Sequence, residues 1–163
     1  LALAGLPAAG SAQGTSADGA GGGSGAHGHA AVAGREGDFT PQLCAMLRTG
    51  RGPGNLLLQG SGDGLDLTVQ TMHPPGGRVV QSVRVRWSGQ GERGAWTAER
   101  HHRDGKWTDS HGEEAAGPIL TIDGTHVTVD GPFRSVADPE APTQHGHIEV
   151  TCPELAKSPG GGS

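Results

Sequence analysis

Apolar and polar residues alternate with a period of two along most of this chain, and the pattern is clearest in its last extended stretch. From His145 to Pro153, Ile148, Val150 and Cys152 fall on one side, and His147, Glu149 and Thr151 on the other. Successive side chains of a strand point to opposite faces, so this is the signature of a strand buried on one face. The same rhythm recurs upstream. Phe39 to Leu47 reads as the first strand, with Cys44 and Met46 in phase, and Leu56-Leu57-Leu58 is a short apolar run after the turn at Gly52 to Gly54. Leu65, Leu67 and Val69 alternate with Asp66, Thr68 and Gln70. After Pro74-Pro75-Gly76-Gly77, residues Val83, Val85 and Trp87 alternate with Arg84 and Arg86.

Two hairpins follow. Trp96 to His101 and Lys106 to Ser110 flank Asp104-Gly105, and Ile119 to Ile122 and Thr125 to Val129 flank Asp123-Gly124. Asp-Gly supplies the positive φ angles of a tight hairpin turn. No stretch sustains a 3.6-residue apolar period, although Glu113 to Ala116 and Glu140 to Gln144 suit single helical turns. Seven or eight short strands with regular turns predict an all-β fold, a small antiparallel β-sandwich or half-open barrel.

Composition sharpens this picture. Leu, Ile, Val and Phe together are only 27 of 163 residues, whereas 31 are glycine, so the core is expected to be thin. A net charge of −5 is too small to keep the whole chain unfolded, which leaves a small folded domain with disordered ends. The expected division is the end of a signal peptide over residues 1–12, a Gly/Ala/Ser-rich flexible tether over 13–38, the β domain over 39–153 and a flexible tail over 154–163. Leu1 to Ala12 is uncharged and apolar but too short to span a bilayer, and Gly10-Ser11-Ala12 fits a small-residue cleavage site. Leu3-Ala4-Gly5 resembles the start of a bacterial lipobox, with Leu6 where the acylated cysteine would stand.

The two cysteines, Cys44 and Cys152, lie at opposite ends of the expected domain with no C-x-x-C spacing. They read as one structural disulfide of an extracytoplasmic protein, the alternative being two buried free thiols.

Candidate chemistry rests on nine histidines in a chain with no tyrosine. His145, His147 and Glu149 share one strand face, an imidazole–imidazole–carboxylate set suited to zinc or copper. The alternative is an ordinary polar face. His27-Gly28-His29 in the tether is a second pair, either chelating or incidental. His101 and His102 are adjacent and face opposite ways, and His73 follows Met72. No G-x-S-x-G, H-E-x-x-H or P-loop occurs, so no enzyme activity is expected. An acidic chain with five aromatic residues is a poor partner for nucleic acid.

Val79-Val80-Gln81-Ser82-Val83, the glycine-spaced Trp87-Ser88-Gly89-Gln90-Gly91, the Asp104-Gly105 hairpin and the closing Ile148-Glu149-Val150-Thr151-Cys152 resemble the mycobacterial 19 kDa lipoprotein antigen family, the LpqH-like lipoproteins. The resemblance covers about Pro41 to Pro153 and extends to the order of parts: signal peptide, low-complexity tether, then a β domain with an early and a terminal cysteine. It implies an actinobacterial cell-envelope or secreted protein with paired cysteines; the tether and the lack of catalytic motifs add the expectation of a monomeric, non-catalytic domain with a protein, glycan or lipid partner. Membrane association would come only through an N-terminal anchor. Leu6 departs from the family's acylated cysteine, and the family brings no catalytic residues.

Overall fold

The computed structural model describes residues 25–48, 50, 52–153 and 155–157. The expected signal-peptide segment lies outside them, as does the part of the tether before residue 25.

The described residues form eleven strands: β1 (His27–Val32), β2 (Arg35–Leu47), β3 (Asn55–Gly62), β4 (Leu65–Met72), β5 (Val79–Trp87), β6 (Ala95–Arg103), β7 (Lys106–Thr108), β8 (Leu120–Asp123), β9 (His126–Ser135), β10 (Gln144–Thr151) and β11 (Ala156–Lys157). One 3₁₀ turn, Gly91–Gly94, joins β5 to β6. No α-helix occurs among the described residues, so the stretches suited to helical turns are loop instead.

Strands β1 to β6 form an antiparallel meander, and β10 pairs with both β9 and β1. Short pairings of Trp96 with Ser135 and Thr97 with Arg134 join β6 to β9 and close the ring. The result is a closed eight-stranded barrel in the order β1-β2-β3-β4-β5-β6-β9-β10. Of the two architectures expected, the structure takes the barrel and closes it.

In β4, β5 and β10 the inward phase is the one the alternation predicts. Leu65, Leu67, Val69, Val83, Val85, Trp87, Ile148, Val150 and Cys152 are all buried in one continuous core. Glycine contributes to this core rather than merely diluting it. Gly28, Gly60 and Gly146 occupy inward positions, and a Cβ on each would lie 2.2 Å from Phe39 Cζ, 2.5 Å from Phe39 Cδ2 and 2.3 Å from Phe133 Cδ2 respectively. The bare backbone gives the two phenyl rings their seats, so a narrow barrel is filled by pairing its largest side chains with its smallest residues.

Three boundaries differ from the expectation. The folded part begins at His27 rather than Phe39, because Arg35-Glu36-Gly37-Asp38 extends β2 and Ala33-Gly34 turns the chain back into β1. Ala33 and Gly34 both have positive φ (55° and 75°), the backbone of a tight two-residue hairpin. The tail also takes part: β11 runs parallel to Ala45 and Met46 of β2, beyond the reach of the short β1, and covers the edge that β1 leaves open. At Asp123-Gly124 the central turn residues are Gly124 and Thr125, with Asp123 paired to His126.

Cys44 and Cys152 form the expected disulfide, with Cα atoms 6.1 Å apart and 108 positions between them. It ties the end of β10 to β2 where the two strands are not neighbours. In the chain-entropy model a loop of this length is worth up to about 4.7 kcal/mol. A disulfide of this kind belongs to an oxidising, extracytoplasmic environment.

Candidate functional site

The outward phase of β10 carries the residues expected to hold a metal, and the register shows what surrounds them. His147 lies opposite Asp130 of β9 on one side and Ala31 of β1 on the other; Glu149 lies opposite Thr128 and His29; Thr151 lies opposite His126 and His27. Directly paired residues project to the same face of a sheet. Five of the nine histidines, His27, His29, His126, His145 and His147, therefore stand on one outer face of the barrel.

Carboxylates are interleaved with them. Asp130 is the centre of the first cluster: its Oδ1 is 3.2 Å from His145 Nε2 and its Oδ2 is 2.8 Å from His147 Nδ1. The second nitrogen of His147 lies 3.2 Å from Glu149 Oε1. On β1, His29 Nδ1 is 2.7 Å from Asp38 Oδ1, and its Nε2 is 3.9 Å from Glu36. The face thus runs across four strands as alternating imidazole and carboxylate.

The structure brings His145, His147 and Glu149 together and adds Asp130. Their lone pairs do not converge on one point: among the described residues, no group of three or more His, Cys, Asp or Glu is disposed to hold a metal ion. The physical reason lies in His147. A metal takes the lone pair of a neutral imidazole, but both ring nitrogens of His147 face carboxylates, an arrangement that favours a proton on each. Hydrogen bonding to Asp130, and next to Glu149, raises the His147 pKa above its ordinary value. The reciprocal bonds from His147 and His145 lower that of Asp130. The cluster is therefore a set of mutually hydrogen-bonded imidazoles and carboxylates exposed on the barrel wall.

His27 and His29 sit on a strand with outward side chains rather than on a flexible tract. His101 and His102 do diverge. The ring of His101 pairs with Glu99, whereas His102 packs on Trp107 with ring centroids 4.8 Å apart. His73 is held by Asn55 through its backbone N–H and its ring.

Asp130 was not singled out from the sequence, because the alternation is legible only to Val129, whereas β9 continues to Ser135. A buried polar element was also missed. Gln81 is in phase with the inward Val83, Val85 and Trp87 and is only 6% exposed. Its Oε1 accepts from the N–H groups of Ile119 and Leu120 (2.9 and 3.2 Å), and its Nε2 donates to the Leu120 carbonyl at 3.1 Å. The glutamine does for the outer edge of β8 what a neighbouring strand would do.

No family model, curated protein or solved structure matches this chain. Its class is defined by the fold alone, a disulfide-bearing closed β-barrel.

Proposed function

We propose that this is a non-catalytic extracytoplasmic protein of the cell envelope or the secreted fraction, a rigid barrel displayed to a protein, glycan or lipid partner. The observation that carries the reading is the Cys44–Cys152 bond. It ties both ends of the folded chain together and requires an oxidising compartment to form and persist. The resemblance to the LpqH-like lipoprotein antigens supports placing the protein in an actinobacterial envelope. The barrel wall supports display rather than catalysis: His145, His147, Asp130 and Glu149 are hydrogen-bonded to one another on an exposed face, open to water.

The test is native mass spectrometry of the protein purified from its own host, set beside the denatured mass and alkylation without reductant. The expected result is a polypeptide lacking its two thiol hydrogens, recovered from the envelope or medium. Two freely alkylated thiols in a cytosolic fraction would overturn the reading.

A further inference from the structure

The strands β6 and β9 pair only at one end of the barrel, through Trp96 and Thr97. Beyond these pairs the intervening chain adds β7 to β6 and β8 to β9. Residues of both added strands and of the barrel line a recess of about 470 Å³, within the range of about 300–1,000 Å³ usual for small-molecule sites, which favour the mouths of barrels. Met46 and Val79 of the barrel, Trp107 of β7, and Leu120 and Ile122 of β8 give it a predominantly apolar lining.

Arg48 and His73 line it as well, and so do two polar side chains of the barrel interior. Gln81 commits both lone pairs of its Oε1 and one N–H of its Nε2 to Ile119 and Leu120, which leaves a single N–H. Thr71 differs. It is 7% exposed, and its Oγ1 is buried with no hydrogen-bond partner. A buried hydroxyl without a partner costs stability that valine at the same position would not. Threonine χ1 moves between staggered wells, so the hydroxyl can be turned toward a molecule in the recess, where it can donate or accept. At the rim Ile122 is 37% exposed, a large apolar side chain that an occupant would cover.

We propose that this recess is a binding site for a small, uncharged, mainly apolar molecule bearing one hydrogen-bonding oxygen, an aliphatic alcohol or ketone, with Thr71 as its polar anchor. The inference deepens the reading of the barrel as a binding module and rests on it for that alone.

The experiment uses octan-1-ol and n-octane as probes, followed by the NMR shifts of the Trp107 indole and the Ile122 methyl groups. Saturable binding of octan-1-ol is expected. Thr71→Val, nearly isosteric and relieved of the orphan hydroxyl, should fold normally, weaken octan-1-ol by roughly threefold to tenfold and leave octane unchanged. Ile122→Trp should block both probes by filling the recess. Failure of octan-1-ol to bind, unchanged affinity in Thr71→Val, or binding that survives Ile122→Trp would each overturn the proposal. So would partition into phosphatidylcholine vesicles without binding of the free alcohol. None of these outcomes bears on the thiol state of Cys44 and Cys152 in the host, which tests the display reading separately.

Discussion

Replacing Gln81 with methionine keeps the length and approximate volume of the side chain and removes its amide. Three hydrogen bonds are lost, from Ile119 N–H, Leu120 N–H and to the Leu120 carbonyl. The residues supplying those groups are buried, Ile119 at 4% and Leu120 at 5% exposure. A neutral hydrogen bond is worth about 0.5–1.5 kcal/mol net, and each buried group left unmet costs about 1–3 kcal/mol. Partial rehydration through the neighbouring recess offsets some of this, so the expected loss is about 2–4 kcal/mol, a large fraction of the roughly 5–15 kcal/mol typical of a domain. Urea unfolding of Gln81→Met should show a lower midpoint at an unchanged slope. Gln70→Met, on the outward phase of β4, serves as the control and should stay within about 0.5 kcal/mol. Amide exchange gives the local readout: Ile119 and Leu120 should be protected in the natural protein and exchange much faster in the variant. A loss below about 1 kcal/mol, with those two amides as slow as before, would refute the view that this side chain substitutes for a strand.

Gly146→Ala places a methyl 2.3 Å from Phe133 Cδ2 and should destabilise by about 1–3 kcal/mol through overpacking; a thermal melt of the variant and of its Phe133→Leu double mutant checks this, because the smaller side chain should restore part of the loss. The Cys44→Ser, Cys152→Ser pair should lose about 2–4 kcal/mol in urea unfolding while keeping the barrel's circular dichroism. His147 has a raised pKa, so its contribution is full below about 6.5 and is lost as pH rises through its folded-state value. Asp130 has a lowered pKa, so its contribution is present above the usual carboxylate range and is lost as pH falls through its own folded-state value. The pair is thus strongest in mildly acidic solution, an effect kept small by exposure; in an NMR titration Asp130→Asn should bring His147 back toward its ordinary value, and an unmoved His147 would count against the pairing. Zinc or copper titration should show no stoichiometric site at His145, His147 and Glu149, whereas a bound ion lost in His145→Ala, His147→Ala would establish the metal reading in its place.

The sequence by itself determined most of the strands and, where residues alternate, their facing. Alternation is a local property, so Leu65 to Val69, Val83 to Trp87 and Ile148 to Cys152 declare their buried sides without reference to anything distant. The Asp104-Gly105 turn is equally local, both residues taking the positive φ that a tight hairpin needs. Asp63-Gly64, between β3 and β4, carries the same signal in the same conformation and was legible, though masked by the glycines around it. Two cysteines admit only one intramolecular pairing, and the structure makes it.

What only the tertiary structure decided is whatever depends on partners far apart in the chain. Closure rests on two residue pairs between β6 and β9 that no local pattern marks. The purpose of Gly28, Gly60 and Gly146 appears only once Phe39 and Phe133 are laid across them, so an abundance of glycine that reads as a thin core is in fact a complementary one. Register decided the candidate site in the same way. His145, His147 and Glu149 share a face by periodicity alone, but Asp130 and His29 reach them through the neighbouring strands, and Asp130 engages the imidazole nitrogens that a metal would need. Local sequence sets which way a side chain points; strand pairing sets what it meets, and the chemistry follows from the meeting.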